Sequence, residues 1–109
     1  WKLVALHEAD EIIKPKKGRT HSMTLSRDKK VAGRNDCNGY SGSYSMVKGN
    51  WLKFGKGFLS TKMLCMPGSL DFKFFESLHA SKGFEVDGNK LKIYYGDNAE
   101  DWMEFEDKT

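Results

Sequence analysis

VAGRNDCNGYSGSY, running from Val31 to Tyr44, is the stretch whose reading decides the fold. Gly33, Asn35, Asn38 and Gly39 crowd around Cys37, and Gly42 follows with Tyr40 and Tyr44 on either side. Gly and Asn reach backbone conformations that bulky side chains resist, and Asn and Asp bond back to their own backbone. The run is too long for a single hairpin turn, and its aromatic spacing is too regular for a linker. It reads as a tight, folded bend that enters a strand at Ser41 and locks two strands together.

Upstream of the bend, Trp1 to His7 reads as a strand, with Trp1, Leu3 and Ala5 on one face and Val4 and Leu6 on the other. Glu8 to Arg19 is polar apart from Ile12 and Ile13, and Pro15 interrupts it. Lys16-Lys17-Gly18-Arg19 is expected to be an exposed loop. His21 to Leu25 suits a second strand, and Val31 begins a short third one. Downstream, Ser41 to Val47, then Trp51 to Phe54 after a Lys48-Gly49-Asn50 turn, read as strands. Gly55 and Gly57 permit a reversal or bulge, and Phe58 to Met66 reads as one long apolar strand ended by Pro67-Gly68.

Ser69 is a candidate helix N-cap, and Asp71 suits the positive first turn. Leu70, Phe74, Phe75 and Leu78 share one arc at about 100° per residue. That spacing predicts a helix over 70–81, stopped by Gly83. Phe84 to Val86 and Leu91 to Tyr95 flank Asp87-Gly88-Asn89, a hairpin signal, and Trp102 to Phe105 supplies a last strand. One amphipathic helix in a strand-rich chain is expected to cover an open side of the sheet.

The 109 residues suit one domain, 1–109, with no internal repeat. Seven Phe, four Tyr and three Trp argue against disorder. No apolar run approaches the roughly 18 residues of a membrane span. A first residue of Trp, with no basic-then-apolar leader, suggests a mature or trimmed domain whose targeting information has been removed. Residues 1–34 carry nine Lys or Arg against four acids, and residues 97–109 carry six acids against Lys108. Such blocks can steer partners, but the basic half is modest for a nucleic-acid binder. Cys37 and Cys65 leave the compartment open: a disulfide implies an oxidising one, two free thiols a reducing one.

Catalysis finds little support in the sequence. His7, His21 and His79 lie outside any nucleophile context, so a Cys37–His pair is only arithmetic. A metal site from Cys37, Cys65 and one histidine has equally little support, and no metal dependence is expected. Asp97, Glu100 and Asp101 are carboxylates on a surface-like turn. The glycines near Cys37 lack the Lys-Ser/Thr ending of a phosphate loop.

Cys37-Asn38-Gly39-Tyr40-Ser41-Gly42-Ser43-Tyr44 resembles the CN-x-Y-x-G-x-Y element of the META domain, or HslJ-like, family. Thr61-Lys62-Met63-Leu64-Cys65 resembles its second element, T-x-M-x-C. Trp1-Lys2-Leu3, Met23-Thr24-Leu25 and Leu52-Lys53-Phe54 resemble its flanking strands, so the likeness covers nearly the whole chain. It implies an α+β fold: a strongly curved antiparallel β-sheet or partial barrel with one packed α-helix. It assigns Cys37, Asn38, Tyr40, Gly42, Tyr44, Thr61, Met63 and Cys65 to the structural motif, and it implies that the two cysteines lie close together. Asp36 stands where bacterial members commonly have Gly; Asp also adopts unusual backbone angles, so the bend is expected to survive.

The family includes bacterial heat-inducible and membrane-anchored proteins, some linked to antibiotic resistance, and trypanosomatid proteins linked to virulence. No common biochemical activity is established for it. The resemblance therefore implies a non-enzymatic binding module without cofactor. A cleft between helix and sheet, lined by Met63, Phe74, Phe75 and Leu78, would hold a hydrophobic ligand or a protein tail. The alternative is an interaction or structural module using an exposed sheet edge or surface patch. A third reading, single-stranded nucleic-acid binding, would use Tyr40, Tyr44, Trp51, Tyr94 and Tyr95 beside basic residues. The expected state is a monomer, cytoplasmic if trypanosomatid-like, periplasmic or membrane-anchored if bacterial-like. Gly42→Val is expected to destabilise more than a surface change.

Overall fold

The computed structural model describes residues 1–15, 20–47, 51–55, 58–61, 64–67, 69–96 and 99–107. The expected loop at Lys16–Arg19, the turn at Lys48–Asn50, Lys56, Gly57, Lys62, Met63, Gly68, Asp97 and the tail from Lys108 lie outside them. The described strands are β1 (Lys2–Glu8), β2 (Glu11–Ile13), β3 (Ser22–Leu25), β4 (Lys30–Arg34), β5 (Gly39–Val47), β6 (Trp51–Phe54) and β7 (Leu59–Ser60). After α1 (Asp71–His79) come β8 (Ser81–Asp87), β9 (Lys90–Tyr95) and β10 (Asp101–Glu106).

Every pairing is antiparallel, in the order β6-β5-β4-β3-β1-β10-β9-β8, with β2 added to β1 and β7 to β5. This order corrects the strongly curved sheet or partial barrel that the sequence led us to expect. The path is open, and among the described residues no backbone ladder joins β6 to β8. Where these two strands meet, side chains take the carbonyls a closing ladder would need. Trp51 Nε1 donates to the Ser81 carbonyl (2.7 Å), and Ser81 Oγ donates to the Leu52 carbonyl. The β8–β9 register also slips between Ser81 and Gly83. The α+β content and the single described helix match the sequence reading.

Alternation explains most of the core. Leu91, Ile93 and Tyr95 of β9 face inward with Met103 and Phe105 of β10, with Leu52 and Phe54 of β6, and with Phe74 and Leu78 of α1. Strand β1 departs from simple alternation. Its register with β10 shifts between Leu3 and Ala5, so Leu3 and Leu6 are both buried although their numbers differ in parity. Three other differences have local causes. The polar segment after His7 hides a hairpin, β1–β2, whose turn residues Ala9 and Asp10 sit at φ 49° and 69°. The segment from Phe58 leaves the sheet after β7, because Thr61 and Cys65 are drawn into the bend. The helix ends at His79 because Ser81 already pairs with Tyr95. The Asp-Gly hairpin is present, pairing Asp87 with Lys90, with Gly88 at φ 62°. No helix among the described residues is long and apolar enough to cross a membrane.

Candidate functional site

The bend between β4 and β5 is built by its own asparagines. Asn35 Oδ1 accepts from the backbone N–H groups of Cys37 (2.9 Å) and Asn38 (2.7 Å), and the Asn35 N–H donates to the Asn38 carbonyl (2.9 Å). This closed loop points the Asn38 side chain inward, where it is 3 % exposed. Its Nδ2 donates to Asp71 Oδ1 at 3.1 Å and lies 3.4 Å and 3.6 Å from the sulfurs of Cys37 and Cys65. Its Oδ1 accepts from Thr61 Oγ1 (2.7 Å), which in turn accepts from the Gly39 N–H (3.1 Å). Cys37 and Cys65 form a disulfide, with Cα atoms 5.6 Å apart, so the expected closeness of the two is present. One amide thus ties the bend, the end of β7 and the start of α1.

Asp36 and Ser69 complete the helix start. Asp36 accepts from Ser69 Oγ (2.7 Å) and from the Leu70 N–H (3.0 Å), while Ser69 Oγ accepts from the Asp71 N–H (3.1 Å). Ser69 therefore bonds the first turn as expected, although Leu70 occupies the N-cap position itself. The Asp36 carboxylate also lies 3.7 Å from His21 Nε2, deep inside the fold. Neither ring nitrogen of His21 has a hydrogen-bond partner among the described residues. Burial holds His21 below its ordinary 6.5, only partly offset by the negative charges of Asp36 and Asp71.

The tyrosines and glycine of the first motif face the same interior. Tyr40 and Tyr44 donate their hydroxyls to the carbonyls of Ser22 (2.7 Å) and Ser26 (2.6 Å), clamping β5 to β3 across β4. Burial pushes the Tyr40 hydroxyl well above its ordinary 10.0. Gly42 makes room for the Phe58 ring, which stacks on Tyr40 with centroids 5.9 Å apart. Of the expected cleft residues, Phe74 and Leu78 are fully buried, Phe75 packs against the core, and Met63 lies outside the described residues. A ligand held against Phe74 and Leu78 would have to displace core.

Apolar exposure lies elsewhere. Leu64 and Met66, the neighbours of Cys65, are 100 % and 67 % exposed, and Phe72, next to Asp71, is 75 % exposed. Leu59 stands open on a shallow groove of about 530 Å³ lined by Gly33, Arg34, Tyr40, Ser60 and Thr61. A second groove, about 330 Å³, lies between β6 and β8, where Lys53 and Lys82 place their ammonium groups 5.6 Å and 5.8 Å from the Trp51 ring centroid.

The sequence reading did not foresee Asn35 and Asp36 as partners of the helix, nor His21 beside Asp36. The Asn-Asp-Cys-Asn run was the available signal, since such side chains are placed to bond nearby backbone. The other candidate groups take structural roles. Asp101 accepts from the Ala9 N–H (3.1 Å) and lies 3.7 Å from His7 Nδ1, which ties the β1–β2 turn to β10. His79 Nδ1 sits 2.9 Å from the Phe75 carbonyl.

The META domain family profile matches residues 1–108. A protein from Burkholderia xenovorans solved by NMR is similar over 100 % of this chain and 81 % of its own, with 27 % identity and a TM-score of 0.76. A crystal structure of a DUF4847 family protein from Bacteroides vulgatus shares the fold, with 16 % identity and a TM-score of 0.64 over 82 % of this chain and 58 % of that one. A search of curated proteins found no match.

Proposed function

Because the chain belongs to the META domain family, we propose that it is a non-catalytic binding module that holds an apolar protein tail at the rim of its cystine. Members of this family are generally not enzymes. The observation that carries the reading is the exposure of Leu64 and Met66, the chain neighbours of Cys65, and of Phe72, the chain neighbour of Asp71, whose carboxylate lies within 4.8 Å of the bridge sulfurs. Small-molecule sites are concave and bury most of their ligand. Side chains 67–100 % exposed suit an extended or helical segment laid across them better than an enclosed lipid. The bridge and the Asn38 network hold the rim's backbone in place, which lowers the ordering cost of binding. The cystine also supports an oxidising compartment, hence the periplasmic or membrane-anchored alternative.

Native mass spectrometry of protein purified without reducing agent, followed by amide-shift mapping with a short apolar peptide, tests this reading. A retained peptide mass with shifts at 64–66 and 70–75, abolished in a Leu64→Ser/Phe72→Ser variant that melts normally, is expected. A retained lipid would redirect the reading to a small ligand, and shifts confined to other strands would end it.

A second reading rests on the groove beside Trp51. An aromatic face flanked by Lys53 and Lys82 suits an anionic segment or a single nucleic-acid strand. Salt-sensitive binding of an oligonucleotide, weakened by Lys53→Ala/Lys82→Ala, would favour it over the apolar rim.

A further inference from the structure

We propose that reduction of the Cys37–Cys65 bridge opens a site for a thiophilic divalent cation such as zinc, held by both sulfurs and the Asp71 carboxylate. The two Sγ atoms and a carboxylate oxygen of Asp71 all lie within 4.8 Å of one another. Ligands around a tetrahedral zinc stand about 3.5–4 Å apart, so release of the S–S bond and a small side-chain adjustment suffice. All three residues are half-buried, which leaves solvent access for a fourth ligand.

The outer partners are already in place. Asn35 Nδ2 (2.7 Å) and Asn38 Nδ2 (3.1 Å) both donate to Asp71 Oδ1 and orient it, and Asn38 Nδ2 also faces both sulfurs. Asp36, the neighbouring carboxylate, is committed to Ser69 and the Leu70 N–H. Fully ionised, two thiolates and a carboxylate would repel one another in this half-buried space, and a divalent cation neutralises most of that charge.

The chemistry balances as follows. A dithiol reductant delivers two electrons and two protons to the cystine and leaves as its own disulfide, while the S–S bond becomes two thiols. The cation then displaces both thiol protons to solvent and forms two metal–sulfur bonds and one metal–oxygen bond. Cystine and metal site are mutually exclusive states of one pair of sulfurs.

Cobalt(II), a spectroscopic stand-in for zinc, is titrated into the full chain, oxidised and reduced, under inert gas. One equivalent should bind the reduced chain with thiolate-to-cobalt absorption, and the oxidised chain should show none. Asp71→Asn should weaken binding by at least about tenfold, the loss seen even for outer partners of metal ligands. If reduction unfolds the chain, zinc must restore its circular dichroism. Absence of thiolate–cobalt absorption, undiminished affinity of Asp71→Asn, or a reduced chain that zinc does not refold would each overturn the proposal.

Discussion

Gly33 and Gly42 show how much two residues of the same type can differ in what they protect. A Cβ on Gly33 would overlap the backbone carbonyl of Ser22, on the neighbouring strand. At Gly42 the obstacle is a side chain, the Phe58 ring, rather than backbone or the tyrosines that flank the glycine in sequence. Overpacking costs about 1–3 kcal/mol, so Gly33→Ala should lose about 3 kcal/mol and Gly42→Ala about 1 kcal/mol, with Gly42→Val between or above. Urea unfolding of the alanine pair checks the order, and equal losses would refute the distinction. His21 makes a different prediction. Its native pKa lies below 6.5, so as pH falls through 6.5 the unfolded chain takes up a proton that the native chain resists. This contribution to stability is complete above 6.5 and is lost on acidification. Unfolding free energies measured from neutral to mildly acid pH should decline, and His21→Leu should flatten that decline. An unchanged slope in the variant would show that other groups carry it.

Elements in this chain begin and end where tertiary partners dictate. Strand β7 is two residues long because Thr61 turns its hydroxyl to Asn38 and Cys65 is bridged to Cys37. The helix starts where Asp36 and Ser69 supply acceptors for its first N–H groups, and it stops where Ser81 engages β6. The bridge spans 28 positions and joins the β4–β5 bend to the segment leading into α1. Closing a loop of that size stabilises by roughly 2–4 kcal/mol. A Cys37→Ser/Cys65→Ser variant should therefore lose unfolding free energy of about 2–4 kcal/mol, with α1 and β7 exchanging amide hydrogens first. Uniform loss of protection across β9 and β10 would contradict this local attachment.

At the scale of the whole molecule, the two end strands of the open sheet, β6 and β8, are joined by the side chains of Trp51 and Ser81, with the Lys82 ammonium over the Trp51 ring. In the oxidised state the sulfurs of Cys37 and Cys65 are bonded to each other and offer no thiolate to a cation. Chelation of the oxidised protein should leave the melting temperature unchanged, and a chelator-induced drop would require a metal site elsewhere. The sequence by itself determined the family through its two motifs, the α+β class, the single described helix and the Asp-Gly hairpin, while the closeness of Cys37 and Cys65 came from the family resemblance. These rest on signals legible along the chain: turn residues, two-residue and helical periodicities, and two motifs of fixed internal spacing. Tertiary structure alone decided the remainder. Leu3 and Leu6 share the core only because a register shift against β10 reverses the alternation. The β1–β2 hairpin needed left-handed turn residues, Ala9 and Asp10, that carry no glycine signal. Whether the sheet closed depended on which groups took the carbonyls of Leu52 and Ser81, residues 29 positions apart. Whether Phe74 lined a cleft or filled the core depended on what packed against it from β10 and from Tyr40. Sequence encodes the preference of a residue for being buried, but the partner that buries it is fixed by contacts far away along the chain.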